Sequence, residues 1–444
     1  FMDQILFSSR VWMDGKFSPA YIKVSDGKIV QLSDSPLDPI GCIIHDFEDN
    51  VIMPALCDPH VHINEPGRTE WEGFETATAA AAAGGIGTII DMPLNSSPVS
   101  TTVENLKLKK TASVGKLRVN VGFYGGIVPG NQDEILGLAA EGIRGYKAFL
   151  THSGIDEFPN VTMEDLKIAM PLIAQTGLPL LVHCELDSHH DDIQPFELNP
   201  FSYTHYLASR PKSWEDEAIK MMIDLCRSTG CRVHIVHLSS ANMLKEIEEA
   251  RKSLPLTVES APHYLYFSAE QIQDNSPEYK CAPPIREEAN NKLLWEALMN
   301  GVIDFIGTDH SPAPPDIKSL DSGNYKTAWG GISCIQFFLP IVWTKARALN
   351  IPLEKVIPWI CENAYNFLGL FTTKGKIEVG YDADFVVWNP HKSQTIQESN
   401  IHFRHKITPY MGQELFGVVL STCVAGEWVY FNQTLKNNHV GKIV

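Results

Sequence analysis

From about residue 55 to residue 350, short apolar segments alternate with longer amphipathic ones. The short segments are ALCDPHVHI, GTIIDMP, RVNVGFYGG, IRGYKAFL, PLLVHCE, RVHIVHLS, LTVESAP and IDFIGTDHS. They are rich in β-branched residues and show little polar alternation, as strands buried on both faces do. Between them, stretches such as WEDEAIKMMIDLCRS and SANMLKEIEEARKS place apolar residues at helical spacing. Eight such strand–helix units predict an α/β chain closed into a (β/α)8 barrel. A doubly wound open sheet is the alternative, but it uses fewer strands, and no GxGxxG follows the first one.

The two ends read differently. Residues 2–54 contain short alternating segments, YIKVSDGKIVQL and GCIIHDFEDNVIMP, with a hairpin signal in VSDGKIV. Residues 375–444 have the same character in GKIEVGYDADFVVWNP and GVVLSTCVAGEWVYFN. Neither end is large enough to bury a core alone. They are expected to combine into one small β-sandwich domain beside a barrel spanning 55–374.

Composition narrows the function classes. Charged residues make up 20% of the 444 and the net charge is −17, which argues against nucleic acid or an anionic membrane as the main partner. The nine cysteines are scattered without a CxxC pair, which fits a reducing compartment. There is no secretory signal and no apolar run long enough to span a bilayer, and the final residues, GKIV, are not a peroxisomal address. A cytoplasmic enzyme acting on a small molecule is the expectation.

The candidate chemistry lies at predicted strand ends: His60 and His62 on the first, Lys147 on the fourth, His183 on the fifth, His237 on the sixth and Asp309 on the eighth. Barrel enzymes build their active sites at that rim. His60 and His62 are two residues apart, so in a strand both point to one side and can grip one ion. Taken alone, His60 and His62 read equally well as two polar residues at a strand end, and His183 and His237 read more readily as hydrogen-bonded core histidines. Lys147 lies inside an apolar strand, where an ammonium must be paired or neutral. A neutral amine there can capture carbon dioxide as a carbamate, turning Lys147 into N6-carboxylysine, a bidentate bridge. Asp309 in IGTDHSP reads as a ligand, a base or an N-cap. Together the set suits two divalent ions, zinc by preference of the imidazoles. The long loops after strands five and eight, LDSHHDDIQPFELNPFSYTHYLASRP and PAPPDIKSLDSGNYKTAWGG, are expected to form walls or lids. The HHDD run reads as a solvated loop.

The order HxH, Lys, His, His, Asp on successive strands resembles the cyclic amidohydrolases, which include dihydroorotases, hydantoinases (dihydropyrimidinases) and allantoinases. GYDADFVVW, at the entry into the C-terminal β-segment, fits the same pattern. The resemblance covers nearly the whole chain and implies a TIM barrel, a binuclear centre bridged by carboxylated Lys147, and a homo-oligomer, a tetramer among the options. It further implies that His60, His62 and Asp309 hold one metal, that His183 and His237 hold the other, and that Asp309 is the catalytic proton carrier. Dihydroorotases follow HxH with an arginine that pairs with a substrate carboxylate; here HINEPGR has Asn64, which suits a neutral ureide. DMPLNSSP, with Asn95, points the same way, and no tyrosine of the hydantoinase kind follows the lysine strand in KAFLTHSG. These contrasts resemble the allantoinase branch and imply ring opening of (S)-allantoin to allantoate. Turn chemistry is the plainer account of both asparagines. Main chain near Ser260 and Gly330 is carried over as a further substrate contact. Ala313 after DHSP and the VESAPHYL segment depart from the family's usual residues and put details of pocket shape in doubt.

Overall fold

The computed structural model describes residues 2–187 and 195–444; the HHDD run, 189–192, lies outside the described residues. The chain opens with β1 (Asp3–Met13), β2 (Lys16–Ser25), β3 (Lys28–Ser33), β4 (Cys42–Asp46) and β5 (Val51–Pro54). It then enters the barrel through β6 (Leu56–Val61), β7 (Ile86–Asp91), β8 (Asn120–Phe123) and β9 (Gly125–Gly126). The barrel continues with β10 (Tyr146–Phe149), β11 (Leu180–His183), β12 (Val233–Ile235), β13 (Leu256–Ser260) and β14 (Phe305–Ile306). β15 (Phe385–Thr395), β16 (Glu414–Val424), β17 (Glu427–Phe431) and β18 (Thr434–Leu435) close the chain.

Every barrel pairing is parallel, in the order β6-β7-β8 and then β9 through β14. β8 and β9 are one strand interrupted at Tyr124, so the two arcs are joined through a single chain segment. The last strand meets the first where Val61 bridges His310 and the His62 N–H donates to His310 O (2.9 Å). Asp58 locks this seam, accepting from the Thr308 N–H (3.0 Å) and Thr308 Oγ1 (2.5 Å). The acid ahead of HxH is therefore a barrel clasp. The result is the TIM barrel expected from eight buried strands, with helices between them. One of these, Lys212–Thr229, ends at Gly230 in the left-handed region (φ 70°), where glycine carries no Cβ penalty.

Both ends join in one sheet, ordered β18-β17-β16-β15-β5-β1-β2-β3, with β4 as a branch on β1. The junction is the antiparallel pairing of β5 with β15, Val51 opposite Trp388 through Pro54 opposite Phe385. The sheet wraps a core of its own, including Val11, Ile22, Ile29, Ile52, Phe385 and Val387, separate from the barrel core. Val51, Met53, Val386 and Trp388 alternate with that set and pack instead on the larger core. Period-two alternation thus lets one strand serve two cores.

Candidate metal centre and substrate cavity

Six predicted residues, His60, His62, Lys147, His183, His237 and Asp309, line one cavity of about 920 Å3 at the C-terminal ends of the strands. His60 lies in β6, with His62 just beyond it; Lys147 is inside β10 and His183 ends β11. His237 and Asp309 stand beyond β12 and β14, each with left-handed backbone (φ 36° and 48°). Left-handed backbone at non-glycine residues is costly and concentrates at working sites.

His60, His62 and Asp309 offer ligand atoms all within 4.8 Å of one another. Asp309 Oδ1 stands 3.1 Å from His60 Nε2 and 3.3 Å from His62 Nε2. The outer ring nitrogens are already held: His60 Nδ1 donates to Glu259 Oε2 (3.0 Å) and His62 Nδ1 to Leu94 O (2.8 Å). Both Nε2 atoms are therefore left facing Asp309, and among the described residues the buried His60 Nε2 has no hydrogen-bond partner. Burial works to lower the His60 pKa, but Asp309 and Glu259 on either side push it up to about 9. Burial would raise the Asp309 carboxyl, yet the charge of His60 and the close approach of both imidazoles hold it well below the usual range. A cluster that retains a proton between two carboxylates is a cluster that accepts a cation, and these donors fit a divalent metal.

The second half of the set is electrically different. Burial lowers the His183 pKa, and burial together with His183 drives His237 well below its ordinary value, so both imidazoles are neutral. Their rings meet edge to face at 4.6 Å. His183 Nε2 donates to Glu185 Oε1 (2.7 Å), and Arg210 grips the same carboxylate at 2.7 and 3.0 Å. His237 Nδ1 is buried and has no hydrogen-bond partner among the described residues. Lys147 is 1% exposed, with Met92 Sδ at 3.9 Å and the Phe149 ring at 5.0 Å. Among the described residues it has no ion-pair partner. Burial lowers its pKa to about 8, against the pull of Asp309 and Glu259.

The substrate-side residues divide. Asn95 and Gly330 are on the cavity wall, and the buried Asn95 Oδ1 has no hydrogen-bond partner among the described residues. Asn64 is buried behind the wall with φ 68°, its Nδ2 near Pro312 O at 3.4 Å. Its left-handed backbone agrees with the turn role. Ser260 is also off the wall: its hydroxyl donates to Leu238 O (2.8 Å) and its carbonyl accepts from the Gly307 N–H (3.0 Å). The segments after β12 and β14 thus engage both Ser260 groups, and neither Asn64 nor Ser260 lines the cavity.

Several functional neighbours were not picked out from the sequence. Glu259 in LTVES is fully buried and joins His60 to His234, whose Nε2 donates to it at 2.9 Å. A charge inside an apolar strand was the available signal, as for Lys147. Trp71 and Trp329 meet at 4.9 Å and form part of the cavity wall with Ala282 and Lys280. No local pattern marks those four, because loops distant in sequence bring them together.

The amidohydrolase family model matches residues 51–429. An allantoinase of Streptomyces avermitilis is 45% identical over 428 residues, 96% of this chain and 95% of that protein. An allantoinase of Arabidopsis thaliana is 44% identical over 87% of this chain and 79% of its own. Among solved structures, the L-hydantoinase (dihydropyrimidinase) from Arthrobacter aurescens superposes with a TM-score of 0.95 over the full length of both chains at 29% identity. A dihydropyrimidinase from Brevibacillus agri gives 0.89 at 25% identity, covering 100% of this chain and 98% of its own.

Proposed function

The chain belongs to the amidohydrolase family, and we propose that it hydrolyses the cyclic amide of (S)-allantoin to allantoate. The observation that carries the reaction class is the convergence of His60, His62 and Asp309 with the buried Lys147 on one cavity. The substrate rests on the higher identity to allantoinases than to hydantoinases of solved structure.

His60, His62 and Asp309 would hold one divalent ion and His183 and His237 a second, zinc by donor chemistry, with carboxylated Lys147 between them. When bound, the ions supply the Lewis acidity that activates water and polarises the amide carbonyl. The depressed pKa of Lys147 favours the free amine that carbon dioxide requires. Asp309, held ionised, takes a proton from the attacking water and delivers it to the ring nitrogen as the C–N bond breaks. Asn95 Oδ1 accepts from a ureide N–H, and the Gly330 main chain meets the other edge of the ring. Asn64 and Ser260 contribute from behind the wall, through the backbone they hold. Glu259 and Glu185 fix the tilt of His60 and His183.

The test is hydrolysis of racemic allantoin by zinc-loaded protein in bicarbonate, with hydantoin and dihydroorotate beside it. Turnover of allantoin in preference to both supports the assignment. Preference for either of the others overturns the substrate and leaves the metal centre standing.

A further inference from the structure

The turn 328–331 carries two unanswered hydrogen-bonding groups, and both belong to Gly330. The Ala328 N–H donates to Asn324 O (3.1 Å), the Trp329 N–H to Ile317 O (2.8 Å) and the Gly331 N–H to Lys280 O (2.8 Å). Ala328 O accepts from Lys280 Nζ at 2.7 Å, while Trp329 O and Gly331 O accept from Lys318 Nζ at 3.1 and 2.6 Å. Among the described residues, no protein group answers the N–H or carbonyl of Gly330, which lies on the cavity wall.

The geometry follows from peptide planarity. In a trans peptide the C=O and the N–H point in opposite directions. Lys318 holds Trp329 O, so the Gly330 N–H on the same peptide points away from Lys318. The Gly331 N–H is held by Lys280 O, so the Gly330 carbonyl points away from that bond. The partners that fasten the turn thus set the aim of both free groups.

Lys318 is 4% exposed and has no carboxylate partner among the described residues. An ammonium buried this way is costly unless strong acceptors solvate it. Two main-chain carbonyls fill that role, and a charged donor on Trp329 O polarises the peptide, making the Gly330 N–H a stronger donor. The turn is also seated on the segment after Asp309: a Cβ at Gly331, where φ is 132°, would lie 2.4 Å from Ser311 O. The turn is therefore packed against Ser311 too closely for any side chain at position 331.

We propose that Lys318 is a positioning residue for the hydrolysis, aiming the Gly330 N–H and carbonyl at the C=O and N–H edge of a cyclic ureide. This rests on the allantoin-hydrolysing reading, with Gly330 as a direct contact and Lys318 acting through it. Such a contact orients the uncleaved side of the ring, so its loss falls on KM more than on kcat.

The experiment compares full-length Lys318→Met, Lys318→Arg, Gly330→Pro and the Lys318→Met/Gly330→Pro double variant, each loaded with zinc in bicarbonate. Kinetics are read on allantoin, or on whichever ureide the wild type turns over best, and metal content is counted alongside. Removing one well-aimed donor is expected to raise KM about tenfold in Lys318→Met, with kcat within about threefold and metals retained. Lys318→Arg keeps a charged donor and recovers most of KM. Gly330→Pro removes the N–H itself and matches Lys318→Met, and the double variant is no worse than either single one. If Lys318→Met does not fold, Gly330→Pro and Lys318→Arg decide by the same readout. Unchanged KM in the folded variants, additive losses in the double variant, or a loss confined to kcat overturns the proposal. A wild type inactive on allantoin but active on hydantoin overturns only the substrate reading, because the same KM comparison then runs on hydantoin.

Discussion

His60, Lys147 and His183 sit in strands, whereas Trp71, Lys280 and Gly330 sit on the loops above them, and the two sets are fixed by different means. The inner set is held by the sheet ladder and by single buried acids, Glu259 for His60 and Glu185 for His183. The outer set is held by bonds to main-chain groups within and between loops, such as Lys318 Nζ to Trp329 O and Gly331 O within one loop and the Gly331 N–H to Lys280 O across two. The difference teaches where each property resides. The groups proposed to break the bond ride in or just beyond the barrel strands, and those proposed to choose the ring ride on the loops.

This contrast is sharpest at Asp309. Asp309→Asn keeps the shape of the inner set but removes the charge between two imidazoles and the proton carrier. Its kcat on the best substrate should fall about 10³-fold while KM changes little, as stopped-time assays of product would show. A change in inner-set support has a smaller effect. Glu259→Gln leaves every proposed ligand in place, yet metal affinity should drop about 10- to 100-fold, measured by competition with a chelator. Trp329→Ala touches only the outer set; discrimination between allantoin and hydantoin should shift by about tenfold with zinc content unchanged. Equal loss of metal in Trp329→Ala and Glu259→Gln would erase the distinction between the two sets.

The smallest effect concerns pH. Burial would raise the Glu185 carboxyl, but Arg210 and the bond from His183 bring it down to about 2. A carboxylate depressed in the fold stabilises it above the unfolded value of about 4.3, and that contribution drains away as pH falls toward about 2. Removing the counter-charge in Arg210→Met should therefore lower stability most at pH 7 to 8, where that contribution is fully present, and move acid unfolding to higher pH, both read by circular dichroism.

How much of this was legible in the sequence divides along the same line. All eight barrel strands were visible because burial on both faces leaves an apolar run in each. The six inner residues stood out because a polar group ending such a run breaks the local pattern. Asn64 and Ser260 were singled out by motif position, but the wall of the cavity depends on loop conformation, and the structure puts both behind it. Lys318 and Trp329 look like ordinary loop residues until their loop folds back on itself and onto Trp71 and Lys280. The nine-stranded end sheet was legible as two β-rich ends; the branch of β4 and β5 on β1 was not, since nothing local specifies a partner strand.

The central claim is that the inner residues form a two-metal centre bridged by carboxylated Lys147. It is tested most directly by counting metals per chain in wild type and Lys147→Ala, prepared in 13C-labelled bicarbonate, with the carbamate followed by 13C NMR. The account predicts two zinc ions and a carbamate signal in the wild type, with the signal and the two-metal stoichiometry both lost in the variant. One metal per wild-type chain without a carbamate signal, or two metals retained by Lys147→Ala, would contradict it.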